Sequence, residues 1–214
     1  MTPPLPLPRI IRILRNTRII RNFQNLQNLQ ISRSLRSLQY IFLCGLLVCC
    51  DADERFSRKN VCRFYFDNHL HNNSIVASAL NPLSPGVFMR ISMNAKNGLY
   101  VVSVNTNIGE SDNITLTTSL EEYRNYTLGA NNGIIVGYSS LGDGLLAFDA
   151  QCPVCAEASG VISPTFPLTW DSNGQKVKCN KCTRTYDLNS SNNGLWQYPA
   201  SCTGGPYGRL AVSN

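Results

Sequence analysis

The sequence predicts an all-β fold, a sandwich or barrel of short antiparallel strands. Three observations carry that expectation. Short runs rich in Val, Ile, Phe and Tyr recur from Asn60 onward, and such residues fit a pleated, half-buried surface. Clusters of Asn, Gly and Ser separate them and supply turn chemistry. Helix signals are few: the best is Ser119-Leu-Glu-Glu-Tyr123, a short turn with Ser119 and Glu122 at capping-box spacing.

Taken in order, the first strand is Val61-Cys-Arg-Phe-Tyr-Phe66, aromatic and nearly alternating. Asp67-Asn-His-Leu-His-Asn-Asn73 reads as a turn, with His69 and His71 on a solvated loop. Gly86–Ser92 and Gly98–Val104 are the next strands, with Asn94–Gly98 as the turn between them. Gly133–Ser139 and Gly144–Asp149 follow, the former entered through Asn131-Asn132. Strands at this spacing suit a sandwich or barrel. Residues 60–214 carry no long repeat and no linker, so they are expected to form one domain. Residues 1–49 read as a leader and 50–59 as a tether.

The charge is unevenly placed. The chain of 214 residues has 19 Lys and Arg, 13 Asp and Glu, and a formal charge of +6. Seven of the bases (Arg9, Arg12, Arg15, Arg18, Arg21, Arg33, Arg36) fall in residues 1–49, which hold no acid. Setting those seven aside leaves 12 bases against 13 acids, a net of −1. No basic stripe remains for phosphate backbones, so nucleic acid is not expected as a partner.

The leader has the layout of a secretory signal. A basic stretch ends at Arg36, and the apolar run Tyr40–Val48 follows. That run is too short to span a bilayer, which takes about 20 residues. Leu47-Val48-Cys49-Cys50 resembles the lipobox of bacterial lipoproteins, with Leu47 three residues before Cys50. The resemblance implies lipid on Cys50 and an envelope-anchored protein facing the periplasm or the cell surface. Cys49 stands where the motif has a small residue. The acidic Asp51-Ala-Asp53-Glu54 is similar to the sorting segments of some surface lipoproteins. Signal peptides rarely begin some 30 residues into a chain, so translation is expected to start near Ile31–Ser34.

The cysteines are the strongest chemical signal. Of nine, Cys44, Cys49 and Cys50 belong to the leader, and Cys62 and Cys202 stand alone as a possible disulfide between first strand and last loop. The other four form Cys152-Pro-Val-Cys155 and Cys179-Asn-Lys-Cys182, two C-x2-C pairs with 23 residues between them. Each such turn brings two thiolates to one metal centre, and two turns complete four-sulfur coordination. That ligand set suits zinc or an iron–sulfur cluster. Structural disulfides and a dithiol redox pair remain the alternatives. Lys176, Lys178, Lys181 and Arg184 surround the second pair and read as a solvated face. Trp170, Trp196 and Tyr198 read as packing residues, with Trp196 placed beside the site.

Cys179-Asn-Lys-Cys182-Thr-Arg-Thr-Tyr186-Asp187-Leu188, followed by Gly194, resembles the second cluster loop of Rieske iron–sulfur domains. Cys182 stands where that family has His, and Thr183-Arg184 where it has Gly-Ser. Phe148-Asp-Ala-Gln-Cys152-Pro-Val-Cys155 is similar to the family's strand and first loop, one residue longer and again with Cys for His. Gly205-Pro206 and Leu210-Ala-Val212 are similar to its closing segment. The resemblance covers about 134–212 and extends to all-cysteine Rieske-like bacterial lipoproteins. It implies a Rieske-like sandwich or barrel with two metal loops, ligands Cys152, Cys155, Cys179 and Cys182, and a [2Fe–2S] cluster passing single electrons to a redox partner protein. Replacing two imidazoles by thiolates lowers the potential of such a cluster. Zinc held by the same four cysteines, in a redox-silent binding module, is the alternative. No nucleophile elbow, zinc-protease motif, P-loop or dinucleotide fingerprint is present, so an enzyme is not the expected reading.

Overall fold

The structure is a computed structural model that describes residues 55–118, 121, 125–160 and 165–214. These belong to one compact unit that begins at Asp53. The leader, Cys50 and the acidic segment at 51–54 lie outside the described residues.

The fold is all-β in its framework, with three antiparallel sheets. The first strands are β1 (Cys62–Asp67), β2 (Phe88–Lys96), β3 (Leu99–Thr106), β4 (Ser111–Thr115) and β5 (Thr127–Leu128). Then come β6 (Gly133–Tyr138), β7 (Leu145–Asp149), β8 (Leu168–Trp170), β9 (Lys176–Cys179) and β10 (Thr185–Asp187). The last are β11 (Gln197–Tyr198), β12 (Ala200–Thr203) and β13 (Arg209–Ser213). Six strands form the largest sheet in the order β11-β7-β6-β2-β3-β4, four form β12-β13-β1-β5, and three form β10-β9-β8.

The six-stranded sheet is the middle layer. Side chains alternate between the two faces of a strand, and both faces here are covered. Met89, Ile91, Ile134, Val136 and Ala147 join Phe64, Phe66, Leu210 and Val212 of the four-stranded sheet in one core. Phe88, Ile135, Leu146 and Phe148 point the other way, into a second core with Leu168, Val177, Tyr186 and Leu188. Double coverage explains why Gly133-Ile-Ile-Val-Gly137 is apolar without a break. All four candidate metal ligands belong to the second core or pack against it.

Short helices interrupt this framework, two of them where turns were expected. Asn68–His71 is α1, capped by Asp67, whose Oδ1 accepts the His69 N–H at 3.1 Å. Its His71 is not solvated: the ring stacks on Phe66 and Nε2 lies 2.8 Å from Glu121 Oε1. Ser74–Ala79 is α2, capped by Asn73, and it lays Val76 and Ala79 on the first core. Pro153–Ser159 is α3. The capping pair expected at Ser119 and Glu122 lies outside the described residues. One residue earlier, Glu121 Oε2 accepts twice from Thr118, from Oγ1 at 2.7 Å and from the N–H at 3.3 Å.

The expected disulfide is corrected. Cys62 and Cys202 are free thiols. Strand β13 separates their strands, and Cys202 pairs Leu210, which pairs Phe66, four residues along from Cys62. Two strand spacings and four residues of rise part them by well over the roughly 7 Å between Cα atoms that a disulfide tolerates. The buried Cys62 thiol donates to the Val212 carbonyl, and burial, with Asp149 nearby, pushes it up to about 12. Residues 56–59 are attached to the domain. Phe56 bridges Gln197 in parallel register and the Ser57 N–H donates to Gln197 O at 2.8 Å. Lys59 pairs with Glu157 of α3 and lies 6.0 Å from the centre of the Trp196 ring.

Candidate metal centre

Strand β7 delivers the first pair of cysteines. Beyond Asp149 the chain is pinned to the segment before β8: Cys152 N–H donates to Phe166 O at 2.9 Å and Leu168 N–H to Ala150 O at 2.8 Å. Cys152 is the N-cap of α3 with Pro153 following it, where a missing N–H costs nothing. Helical spacing then puts Cys155 on the same side as Cys152, three residues on. The first pair is therefore a helix start, not the plain loop read from the sequence.

The second pair closes a hairpin. Cys179 ends β9, and Cys182 lies in the turn to β10. The Thr183 N–H donates to Cys179 O and the Cys179 N–H to Arg184 O, each at 2.9 Å. This turn drives Thr183 to φ +59°, a left-handed conformation that a β-branched residue rarely adopts. Lys176 and Lys178 are exposed on the face opposite Val177 and Cys179, so they are a solvated face, as the alternation implied.

The four sulfurs converge. All lie within 4.8 Å of one another. Cys152 Sγ is 3.7 Å from Cys182 Sγ, and Cys155 Sγ is 3.7 Å from Cys179 Sγ. Cys152, Cys155 and Cys179 are buried and Cys182 is half-buried. This is a metal-binding arrangement: four soft donors, within reach of one centre, in an apolar shell. His69 and His71 take no part.

Outer groups fix the ligands. Tyr186 Oη lies 3.2 Å from Cys152 Sγ, so a thiolate there accepts the phenol proton in a hydrogen bond. Burial raises the Cys152 thiol above its ordinary range, and the Tyr186 contact opposes it. Burial, followed by the neighbouring thiols, raises Cys155. The Arg184 N–H lowers Cys182. Trp196 lies beside Glu157 of α3. Replacing Tyr186 by Phe keeps the ring in the core but deletes the O–H. Outer-shell losses of this kind cost about tenfold or more in metal affinity. Competition against a chromophoric chelator should show that drop with an unchanged circular dichroism spectrum; equal affinity would rule out the contact as a support for the metal.

Sequence reasoning singled out all four ligands. It missed Tyr186 as their partner, having matched it only as part of the strand after the loop. It also missed Asp149, which is fully buried three residues before Cys152. Its carboxylate accepts from Tyr198 Oη at 2.6 Å, Ala130 N–H at 2.7 Å and Gln151 N–H at 2.9 Å. Burial raises the Asp149 carboxyl and these three donors oppose it. Gln151 in turn accepts the Phe166 N–H at 2.8 Å, so the network positions the approach to Cys152. Comparison with protein-family models, curated proteins and solved structures gives no match to this chain.

Proposed function

We propose that the chain is a Rieske-like metalloprotein of the bacterial envelope, anchored by lipid on Cys50, in which Cys152, Cys155, Cys179 and Cys182 hold a single zinc ion as a structural centre. One observation carries the choice of metal: the compactness of the sulfur cluster. A tetrahedron with Zn–S bonds of about 2.3 Å has edges of about 3.8 Å. All four sulfurs lie within 4.8 Å of one another, across the pairs as well as within the 3.7 Å contacts, as the corners of one such tetrahedron would. A [2Fe–2S] core instead inserts a rhomb of two irons and two sulfides between its thiolate pairs and spreads them apart. Zinc in this position fastens α3 to the β9–β10 turn and closes the second core. The role is then to hold a binding surface for a partner protein. The anchor rests on the leader's sequence alone. Among the described residues no helix is long and apolar enough to cross a membrane.

A second reading keeps the [2Fe–2S] cluster and single-electron transfer. It is favoured by the resemblance of Cys179–Leu188 to the Rieske second loop. The decisive measurement is elemental analysis with an absorption spectrum on the full chain purified anaerobically. One zinc per chain and no colour supports the structural centre. Two irons with a visible spectrum bleached by dithionite would replace it with an electron carrier. Labelling with radioactive palmitate in a bacterial host tests the lipid, and its absence would remove the anchor without touching the metal.

Metal affinity should depend steeply on pH. Metal binds the thiolate, and Cys152 and Cys155 are both raised above the ordinary 9.0 of a thiol. Below pH 9 the metal must therefore displace at least these two protons, and affinity falls as pH falls. Two protons correspond to about 100-fold per pH unit. Chelator competition at pH 8, 7 and 6 reads that slope, and a flat profile would contradict it.

A further inference from the structure

We propose that the same four thiols form a peroxide-responsive switch, in which oxidation releases the metal and joins Cys182 to Cys152 across the two loops. The inference deepens the metal-site reading and rests on it for the release step only. Three observations carry it. Cys182 is the one thiol of the four that is only half-buried, the other three being buried, so a small oxidant meets it first. The sulfur in recorded contact with it belongs to Cys152, on the opposite loop, at 3.7 Å. Closing from there to a disulfide of about 2.05 Å brings the two sulfurs together by less than about 2 Å. The buried Cys155 and Cys179 form the matching second contact and are left reduced by the first oxidation.

The chemistry balances with hydrogen peroxide as the oxidant. The Cys182 thiolate attacks one peroxide oxygen, the O–O bond breaks, and a sulfenic acid and hydroxide result, the hydroxide taking a proton from solvent to become water. The Cys152 thiolate then attacks the Cys182 sulfur. The S–S bond forms, the S–O bond breaks, and a second hydroxide leaves and is likewise protonated by solvent to water. Two thiolates have lost two electrons and peroxide has gained them. Two of the four ligands are consumed, so the metal loses its tetrahedral site. The new bond spans the same two loops that the metal had joined, α3 and the β9–β10 turn. The switch therefore exchanges one fastening for another and leaves the second core closed. A C-x2-C redox pair would instead bridge within one loop and leave the two loops unconnected.

The test is peroxide titration of the full chain loaded with one equivalent of zinc, with released zinc read by a pyridylazoresorcinol indicator and disulfides mapped by non-reducing peptide mass spectrometry. Trypsin cuts after Lys181 and so separates Cys179 from Cys182; fragmentation distinguishes Cys152 from Cys155. The expected result is one Cys152–Cys182 bridge for each zinc released. Bridges within Cys152–Cys155 or Cys179–Cys182 would overturn the proposal, as would zinc loss with sulfinic acid on Cys182 and no bridge. If the chain takes up no zinc, the metal reading fails on its own. The reduced, metal-free chain treated with one equivalent of peroxide then still decides the pairing by the same map.

Discussion

Removing the metal from the reduced protein should unfold the β8–β10 layer and leave the opposite core standing. The two cores depend on the metal differently. The core between the six- and four-stranded sheets is built from Phe64, Phe66, Met89, Ile91, Val136 and Leu210 among others, and contains none of the four ligands. The second core draws Leu168, Val177, Tyr186, Leu188 and Leu195 as buried large side chains from its outer layer and its flank, with Phe166 and Trp170 packed against them, and three of the ligands are part of it. Structural zinc contributes about 10–16 kcal/mol in small domains that have little other core. A three-stranded layer with so few buried side chains depends on that contribution to offset the ordering of its loops. Hydrogen exchange with chelator and reductant present should show about 100-fold or greater loss of protection in 152–196, with β1, β2 and β3 protected as before. Uniform protection with and without metal would contradict a structural role.

Gly129→Ala should be strongly destabilising. Gly129 has φ +64°, and a Cβ there would lie 2.3 Å from Asp149 Oδ2 and 2.9 Å from Tyr198 Oη. The side chain cannot fit without displacing the carboxylate. Asp149 is fully buried with three donors around it, so moving it leaves a buried charge short of hydrogen bonds. The expected cost is at least about 3 kcal/mol. At about 2–4 °C per kcal/mol, the melting temperature falls by roughly 6–12 °C. Thermal unfolding with metal present measures it, and a shift under about 2 °C would show that the network tolerates displacement.

Much of this was legible in the residues. The strand expectations at Val61–Phe66, Gly86–Ser92, Gly98–Val104, Gly133–Ser139 and Gly144–Asp149 overlap β1, β2, β3, β6 and β7, because β-branched and aromatic runs between turn residues signal local backbone preference. The four ligands were legible because C-x2-C spacing is itself a geometric constraint. Helix α3 was not read, although Pro153 at its first position and Gly160 after its last, with φ +68°, are start and stop signals. Reading Cys152–Cys155 as a loop overrode them. Helix α2 is six residues long and contains β-branched Ile75 and Val76, too short for a helical period to emerge. Its one signal was Asn73, an N-cap residue. The Cys62–Cys202 pairing failed for a different reason: register along β13 is a property of the assembled sheet, and two isolated cysteines do not encode it.

The ends of the six-stranded sheet bear on self-association. A free sheet edge is a template for another chain, and long, flat, apolar edges drive aggregation. At one end, β11 is met by Phe56 and Ser57, so part of its backbone is already occupied. At the other end, β4 reads Ser-Asp-Asn-Ile-Thr with only Ile114 buried. Asp112 and Asn113 are engaged with Asn73 and Ser103. A second copy adding a strand there would have to desolvate a carboxylate and would find no continuous apolar face to bury. Edge-to-edge ribbons of this protein are therefore disfavoured at both ends, and concentrated preparations should stay free of them for as long as residues 55–59 are kept.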